Sequence, residues 1–111
     1  MRQELTLMTK IEVVVGREDE QLVHGIFKAA GTTGFTSVSN VSGSGHAGYH
    51  EGRLPFNDRD GLLLTFTVVR ADRADALIDA LRTLFDRRPG VMFVTDTYVS
   101  RPSYFEEGPT P

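Results

Sequence analysis

Apolar residues in this chain change from a spacing of 2 to a spacing near 3.6 and back, and the cycle then runs a second time. That doubled switch constrains the fold more than any other feature of the sequence. "KIEVVVG", Lys10–Gly16, places Ile11, Val13 and Val15 on one face and predicts a strand. Arg17–Ala30 follows, with Glu18, Asp19 and Glu20 in the first turn, where acidic groups favour the positive end of a helix. The apolar stripe of this helix is Leu22, Val23, Ile26 and Phe27, and Gly31 or Gly34 is expected to stop it. Thr36–Val41 is the second expected strand and "LLLTFTVV", Leu62–Val69, the third. Asp72 is a suitable N-cap, with Asp75 as a weaker stand-in for the Glu of a capping box. Ala74, Leu77, Ile78, Leu81, Leu84 and Phe85 then mark one face of an amphipathic helix. Arg87 and Arg88 occupy its negative end, Pro89-Gly90 closes it, and Val91–Val99 is the fourth strand. A loose tail is expected from about residue 103 to 111.

The order β-α-β-β-α-β is the split βαβ, or ferredoxin-like, pattern of an α+β domain. At 111 residues the chain is expected to be a single domain, 1–111, with a four-stranded antiparallel sheet under two helices. In the third strand Leu62, Leu64, Phe66 and Val68 share one face, expected to meet the helices. The opposite face would carry Leu63, Thr65, Thr67 and Val69. A solvated face alternates to polar residues, whereas this one is half apolar, so another subunit is expected to cover it.

Between the second and third strands, about residues 42–61, no helical or strand period is visible. Compact domains usually connect their elements in about four to six residues, so a loop this long is either functional or disordered. It opens with "SGSGHAG", Ser42–Gly48, whose glycines let successive N–H groups converge on an anion. Arg88 and Gly90 precede the fourth strand and Arg101 follows it, and guanidinium groups bind phosphate bidentately. These features make one anion site only if the fold brings them together.

Composition closes off several classes. Apolar and charged fractions of 40% and 24% are ordinary for a globular chain. A formal net charge of −3 without a Lys/Arg block argues against nucleic acid as a partner. No cysteine is present, so no thiolate metal site or Cys nucleophile can be built. Met1–Met8 contains no signal-peptide core and no apolar run is long enough to span a bilayer, so a cytoplasmic location is expected. No Ser has the setting of a nucleophile, Asp58, Asp60 and Glu51 suit a solvated loop, and a catalytic function is not expected. His46 and His50, four apart on the loop, could share a metal with Asp58 or Asp60, although no helix fixes them together.

"GFTSVSNVSGSGHAG", Gly34–Gly48, resembles the segment that leads into the T-loop of PII signalling proteins, and "PGVMFV", Pro89–Val94, resembles their second signature. The likeness runs over about residues 9–105. It implies a homotrimer whose three inter-subunit clefts bind adenine nucleotides, with T-loops that grip a target protein according to the ligand bound. Under it Gly43 and Gly45, with Ser44 between them, match the phosphate end of the T-loop, and His46 stands where the family has Arg. Gly90 matches the signature Gly, Arg88 lies beside it, Thr36 or Ser37 would lie near the adenine, and Val68 would line the base. Arg101 is near a phosphate-binding Arg, and Tyr104 or Phe105 would act as an apolar lid.

Two departures stand out. Ala47 replaces the Gln that helps bind Mg-ATP and 2-oxoglutarate, and Val91 replaces the signature Lys. Fewer partners remain for a γ-phosphate, so ADP and AMP are favoured over ATP. The truncated pattern is most similar to the PII-like branch associated with carboxysomes and bicarbonate transport. That branch implies bicarbonate as second ligand, on the amides of Ser44, Gly45 and His46 beside Arg101, and a target in carbon uptake or the carboxysome. The alternative is a CutA-like trimer binding a divalent metal through His46 and His50. A small ferredoxin-like enzyme ranks last.

Overall fold

A computed structural model describes residues 4–32, 34–42 and 61–105, together with the backbone of 44–45 and 48–49. The main sheet has four strands: β1 (Thr6–Gly16), β2 (Thr36–Val41), β3 (Leu62–Val69) and β4 (Val91–Val99). Their order across the sheet is β2-β3-β1-β4 and every neighbouring pair is antiparallel. A 3₁₀ turn at Arg17–Asp19 leads into helix α1 (Glu20–Ala29), and α2 (Ala71–Phe85) connects β3 to β4. This is the ferredoxin-like arrangement expected from the sequence. No helix among the described residues is long and apolar enough to cross a membrane.

Local chemistry sets the boundaries. Helix α1 ends where Gly31 takes φ +83; the Gly31 amide donates to the Lys28 carbonyl and the Thr32 amide to that of Phe27. That pair of bonds is a Schellman motif, and the left-handed residue it needs is a glycine. Helix α2 begins earlier than expected: its N-cap is Arg70, and Asp72 lies in the first turn. No side chain caps the helix there, and Asp72 instead pairs with Arg70, Nη2 to Oδ2 at 2.7 Å. That guanidinium also holds the Asp72 carboxyl below the usual carboxylate range. Asp75 therefore closes no capping box. Strand β1 starts at Thr6 rather than Lys10 because its first residues pair with the end of β4, Thr6 opposite Val99 and Met8 opposite Thr97.

The core forms between the helices and one face of the sheet. Ile11, Val13 and Val15 of β1 and Leu63 and Val69 of β3 pack with Val23, Phe27, Ala74, Leu77 and Leu81. This reverses the expected faces of β3. Leu63, Thr65, Thr67 and Val69 turn to the helices, while Leu62, Leu64, Phe66 and Val68 lie on the far side. Strand periodicity fixes which residues share a face but not which face meets the helices, and a strand covered on both faces reads as apolar throughout. The core accepts the two threonines because their hydroxyls are bonded: Thr67 Oγ1 donates to the Gly34 carbonyl at 2.6 Å and Thr65 Oγ1 to that of Thr36 at 3.1 Å.

The far face is consequently more apolar than the sequence suggested. By register Val38, Leu64, Val14 and Val91 form one row across it, and Phe66, Glu12 and Phe93 another. Val38, Val91 and Phe93 are 48%, 45% and 50% exposed in the single chain, at the two edges of this face. A bulge keeps it continuous: Asn40, at φ +63, opposes no residue of β3, so Val41 comes to lie opposite Leu62. Asn tolerates that left-handed conformation better than most residues.

Not all of the expected helix stripe is core. Val23 and Phe27 are buried, but Leu22 is 47% exposed. Leu77→Ala should therefore lower stability by about 2–5 kcal/mol through lost contacts and a cavity. Leu22→Ala should stay within about 0.5 kcal/mol of the parent. Denaturant unfolding of both variants at one protein concentration checks the pair, and equal losses would contradict the assigned core.

Candidate functional site

A cleft of about 350 Å³ opens at the end of the sheet where β2 begins and β3 finishes. Phe35 and Thr36 form one wall, Phe66 and Val68 the floor, and Tyr104 and Phe105 reach it from the segment after β4. The volume is in the range of small-molecule sites, and the lining is mostly apolar with a few polar groups, as such sites are. The segment after β4 is held by Pro102, which opens a 3₁₀ turn over Pro102–Tyr104. The Tyr104 amide donates to the Arg101 carbonyl at 3.0 Å and the Phe105 amide to that of Pro102 at 2.9 Å. Arg101 Nη1 donates to Tyr104 Oη at 3.0 Å, and its guanidinium stands 5.6 Å from the Tyr104 ring centre. One arginine is thereby anchored beside the cleft through a side chain that lines it.

The wall of the cleft is braced from behind. His24 of α1 stacks on Phe35 with ring centres 3.8 Å apart, and its Nε2 lies 3.2 Å from Ser37 Oγ. Ser37 Oγ donates to Thr65 Oγ1 at 2.9 Å, and Thr65 Oγ1 in turn donates to the Thr36 carbonyl at 3.1 Å. Glu20 lies one helical turn before His24, its carboxylate 4.0 Å from Nδ1. Burial lowers the His24 pKa, and Glu20 opposes that shift without cancelling it.

The expected site residues fall into two groups. Thr36 and Val68 line the cleft, and Arg101 is joined to it through Tyr104. Ser37 is turned to the helix side, where it bonds Thr65 and His24. Arg88, Gly90 and Val91 lie at the other end of the sheet and on its opposite edge, since β2 and β4 are the outer strands. Three strand spacings near 4.8 Å put those edges about 14 Å apart. The backbone of Ser44–Gly45 pairs with Gly48–Tyr49 as a two-residue ladder beyond the end of β2, where no strand was expected. Gly43 and His46 lie outside the described residues, as do Ala47, His50, Asp58 and Asp60. Among the described residues no group of three or more potential metal ligands occurs.

At the far end Arg88 is already engaged. Its Nε lies 2.7 Å from Oδ1 of Asp19, a residue only 1% exposed. The contact is an ion pair without hydrogen-bond geometry, and neither Asp19 oxygen accepts a hydrogen bond from a described residue. A buried carboxylate requires such a countercharge. The sequence suggested only a first-turn acid at position 19, because burial leaves no local signature. Gly90 is required by packing: a methyl group there would overlap the Phe85 ring. Val91 brings an exposed apolar side chain to the far face of the sheet.

Comparison with known proteins gives a consistent answer. Residues 8–104 match the family of nitrogen regulatory protein P-II. Among solved structures the chain is similar to CPII, a nitrogen regulatory PII-like protein from Thiomonas intermedia K12 bound to ADP, AMP and bicarbonate. The identity is 31% over 92% of this chain and 96% of that one, with a TM-score of 0.80. A second CPII structure, bound to ADP and bicarbonate, matches at 30% identity over 91% of this chain and 96% of that one, with a TM-score of 0.79. A chain from Thermus thermophilus described as a PII-like signalling protein shares the fold. It is 18% identical over 91% of this chain and 97% of that one, with a TM-score of 0.70. No curated protein matches by sequence. Nothing in these matches supports a CutA-like metal protein.

The lowered His24 pKa has a pH consequence. Below the ordinary value near 6.5 the unfolded chain binds a proton that the folded chain resists. The contribution is therefore complete above about pH 6.5 and is lost as pH falls through the window down to the folded-state value. His24→Gln should remove this component, so thermal melts from pH 7.5 to 5 should fall more steeply for the parent than for the variant. Parallel curves would contradict the placement of His24.

Proposed function

Because the chain belongs to the nitrogen regulatory protein P-II family, we propose that it is a non-catalytic regulator of the PII-like CPII type. It binds ADP or AMP, with bicarbonate as second ligand, in clefts between copies of itself. The observation that carries this reading is the cleft of Phe35, Thr36, Phe66, Val68, Tyr104 and Phe105, in a chain similar over nearly its whole length to CPII bound to ADP, AMP and bicarbonate. A flat purine suits an apolar slot with polar groups at its rim.

The assembly is three copies, as the PII likeness implies. Two observations support burial between copies. The sheet face away from the helices carries an apolar patch of Leu64, Phe66, Val14, Val91 and Phe93, and its exposed valines and phenylalanine resemble an interface rather than a solvated surface. Cleft and Gly90 lie on opposite edges of one sheet, so a nucleotide that touches both kinds of residue lies between protomers. The adenine takes the cleft beside Thr36 and Val68. The phosphates take Arg101, the Gly90 turn and the glycine amides at 43–46, where bicarbonate also binds. Val91 in place of a lysine and Ala47 in place of a glutamine favour ADP and AMP over ATP.

Bound ligand changes the order of the segment at about 42–61, and that segment docks on a target in inorganic-carbon uptake or at the carboxysome. Such control requires that the ligand bind one loop state better than the other. The whole process is assigned to the cytoplasm.

Arg101 is the cleaner test of the site, since removing Arg88 would leave Asp19 buried without its countercharge. Arg101→Ala should weaken ADP binding by about 1.5–3 kcal/mol, or roughly 10- to 150-fold, as for a hydrogen bond to a charged group. Calorimetry with ADP, AMP and ATP, each with and without bicarbonate, measures this. Unchanged ADP affinity removes Arg101 from the site, and affinity only for Mg-ATP with 2-oxoglutarate contradicts the CPII assignment.

A further inference from the structure

The hydrogen bonds behind the cleft wall run in one direction. A carbonyl only accepts, so Thr65 Oγ1 places its single proton on the Thr36 oxygen. Ser37 Oγ then places its single proton on Thr65 Oγ1. The remaining contact, 3.2 Å between Ser37 Oγ and His24 Nε2, can be made only if the imidazole nitrogen donates. The neutral ring is thereby fixed as the Nε2–H tautomer, with Nδ1 turned to Glu20. Protonation would add a hydrogen at Nδ1 and leave the Nε2 donor in place.

The same ring stacks on Phe35. His24 thus touches Phe35 by its face and is linked to Thr36 through the hydroxyls of Ser37 and Thr65. Thr67 fixes the Gly34 carbonyl one residue earlier. Gly34–Ser37 is held from behind at every residue, and His24 is the part of this brace contributed by a helix.

We propose that His24 is a positioning residue for the adenine cleft: the relay from His24 through Ser37 and Thr65 to Thr36, with the stack on Phe35, holds the wall in its ligand-ready form before a nucleotide arrives. The inference rests on the nucleotide reading above. A wall already fixed loses less conformational freedom when a base is inserted, and affinity rises accordingly.

Two substitutions separate the donor from the ring. His24→Phe keeps an aromatic stack on Phe35 and removes the donor, while His24→Gln places an amide N–H near the Nε2 position and removes the ring. Calorimetry should show ADP binding weakened about 3- to 10-fold in His24→Phe, as for loss of one neutral hydrogen bond. His24→Gln should recover most of that loss, although it melts at the lower temperature because the stack is gone. A merely structural role predicts that affinity follows melting temperature in both variants. Ser37→Ala breaks the relay at its middle with little change in packing and should weaken ADP to a similar degree, which covers the case in which His24→Phe does not fold. Imidazole ¹⁵N shifts of the unliganded parent should report the Nε2–H tautomer.

Parent-level affinity in folded His24→Phe and Ser37→Ala, or an Nδ1–H tautomer, would overturn the positioning role while leaving nucleotide binding intact. A parent chain that binds no adenine nucleotide would overturn the nucleotide reading and this inference with it.

Discussion

The sheet carries a large apolar patch on each face, and the rest of the molecule follows from that. Two helices cover one face with Val23, Phe27, Leu77 and Leu81, and they are the only α-helices among the described residues. On the other face Leu64 lies opposite Val14 and Phe66 opposite Glu12, with Val91 and Phe93 one strand further on, too many apolar groups for a surface meant for water. Under the proposed function this face is the inside of an assembly. The ligand cleft at its margin is then a consequence of how the copies meet.

Much of this architecture was legible in the sequence because two periods compete openly along it. The limits of β2, β3 and β4 follow from the runs Thr36–Val41, Leu62–Val69 and Val91–Val99, and the face of α2 from Ala74 through Phe85. What escaped was whatever depends on a distant partner. The orientation of β3 was reversed because both of its faces are apolar or small, and only the carbonyls of Gly34 and Thr36 make the inward threonines acceptable. Asp72 looked like a cap but is drawn to Arg70 instead. The bulge at Asn40 leaves no trace in a six-residue strand of mixed Thr, Ser and Val.

The residues around the candidate cleft were legible in part for the same reason. Thr36 and Val68 reach the cleft, and Arg101 stands beside it through Tyr104. Ser37, adjacent to Thr36, points the other way by strand alternation and joins a relay to His24. Neither Phe35 nor His24 announced itself, since an aromatic before a strand and a histidine on a helix are each ordinary. Their pairing exists only once α1 is laid against β2. Asp19 behaves likewise: its tie to Arg88 connects the start of α1 with the turn before β4, and both are local punctuation in the sequence.

The central claim is that the uncovered sheet face is buried between copies that together form the nucleotide cleft. Sedimentation equilibrium of the full chain, with and without ADP, tests it most directly. The account predicts a mass of three chains, with one ADP bound per chain at saturation. A chain that sediments singly at all concentrations, with or without ADP, would contradict it.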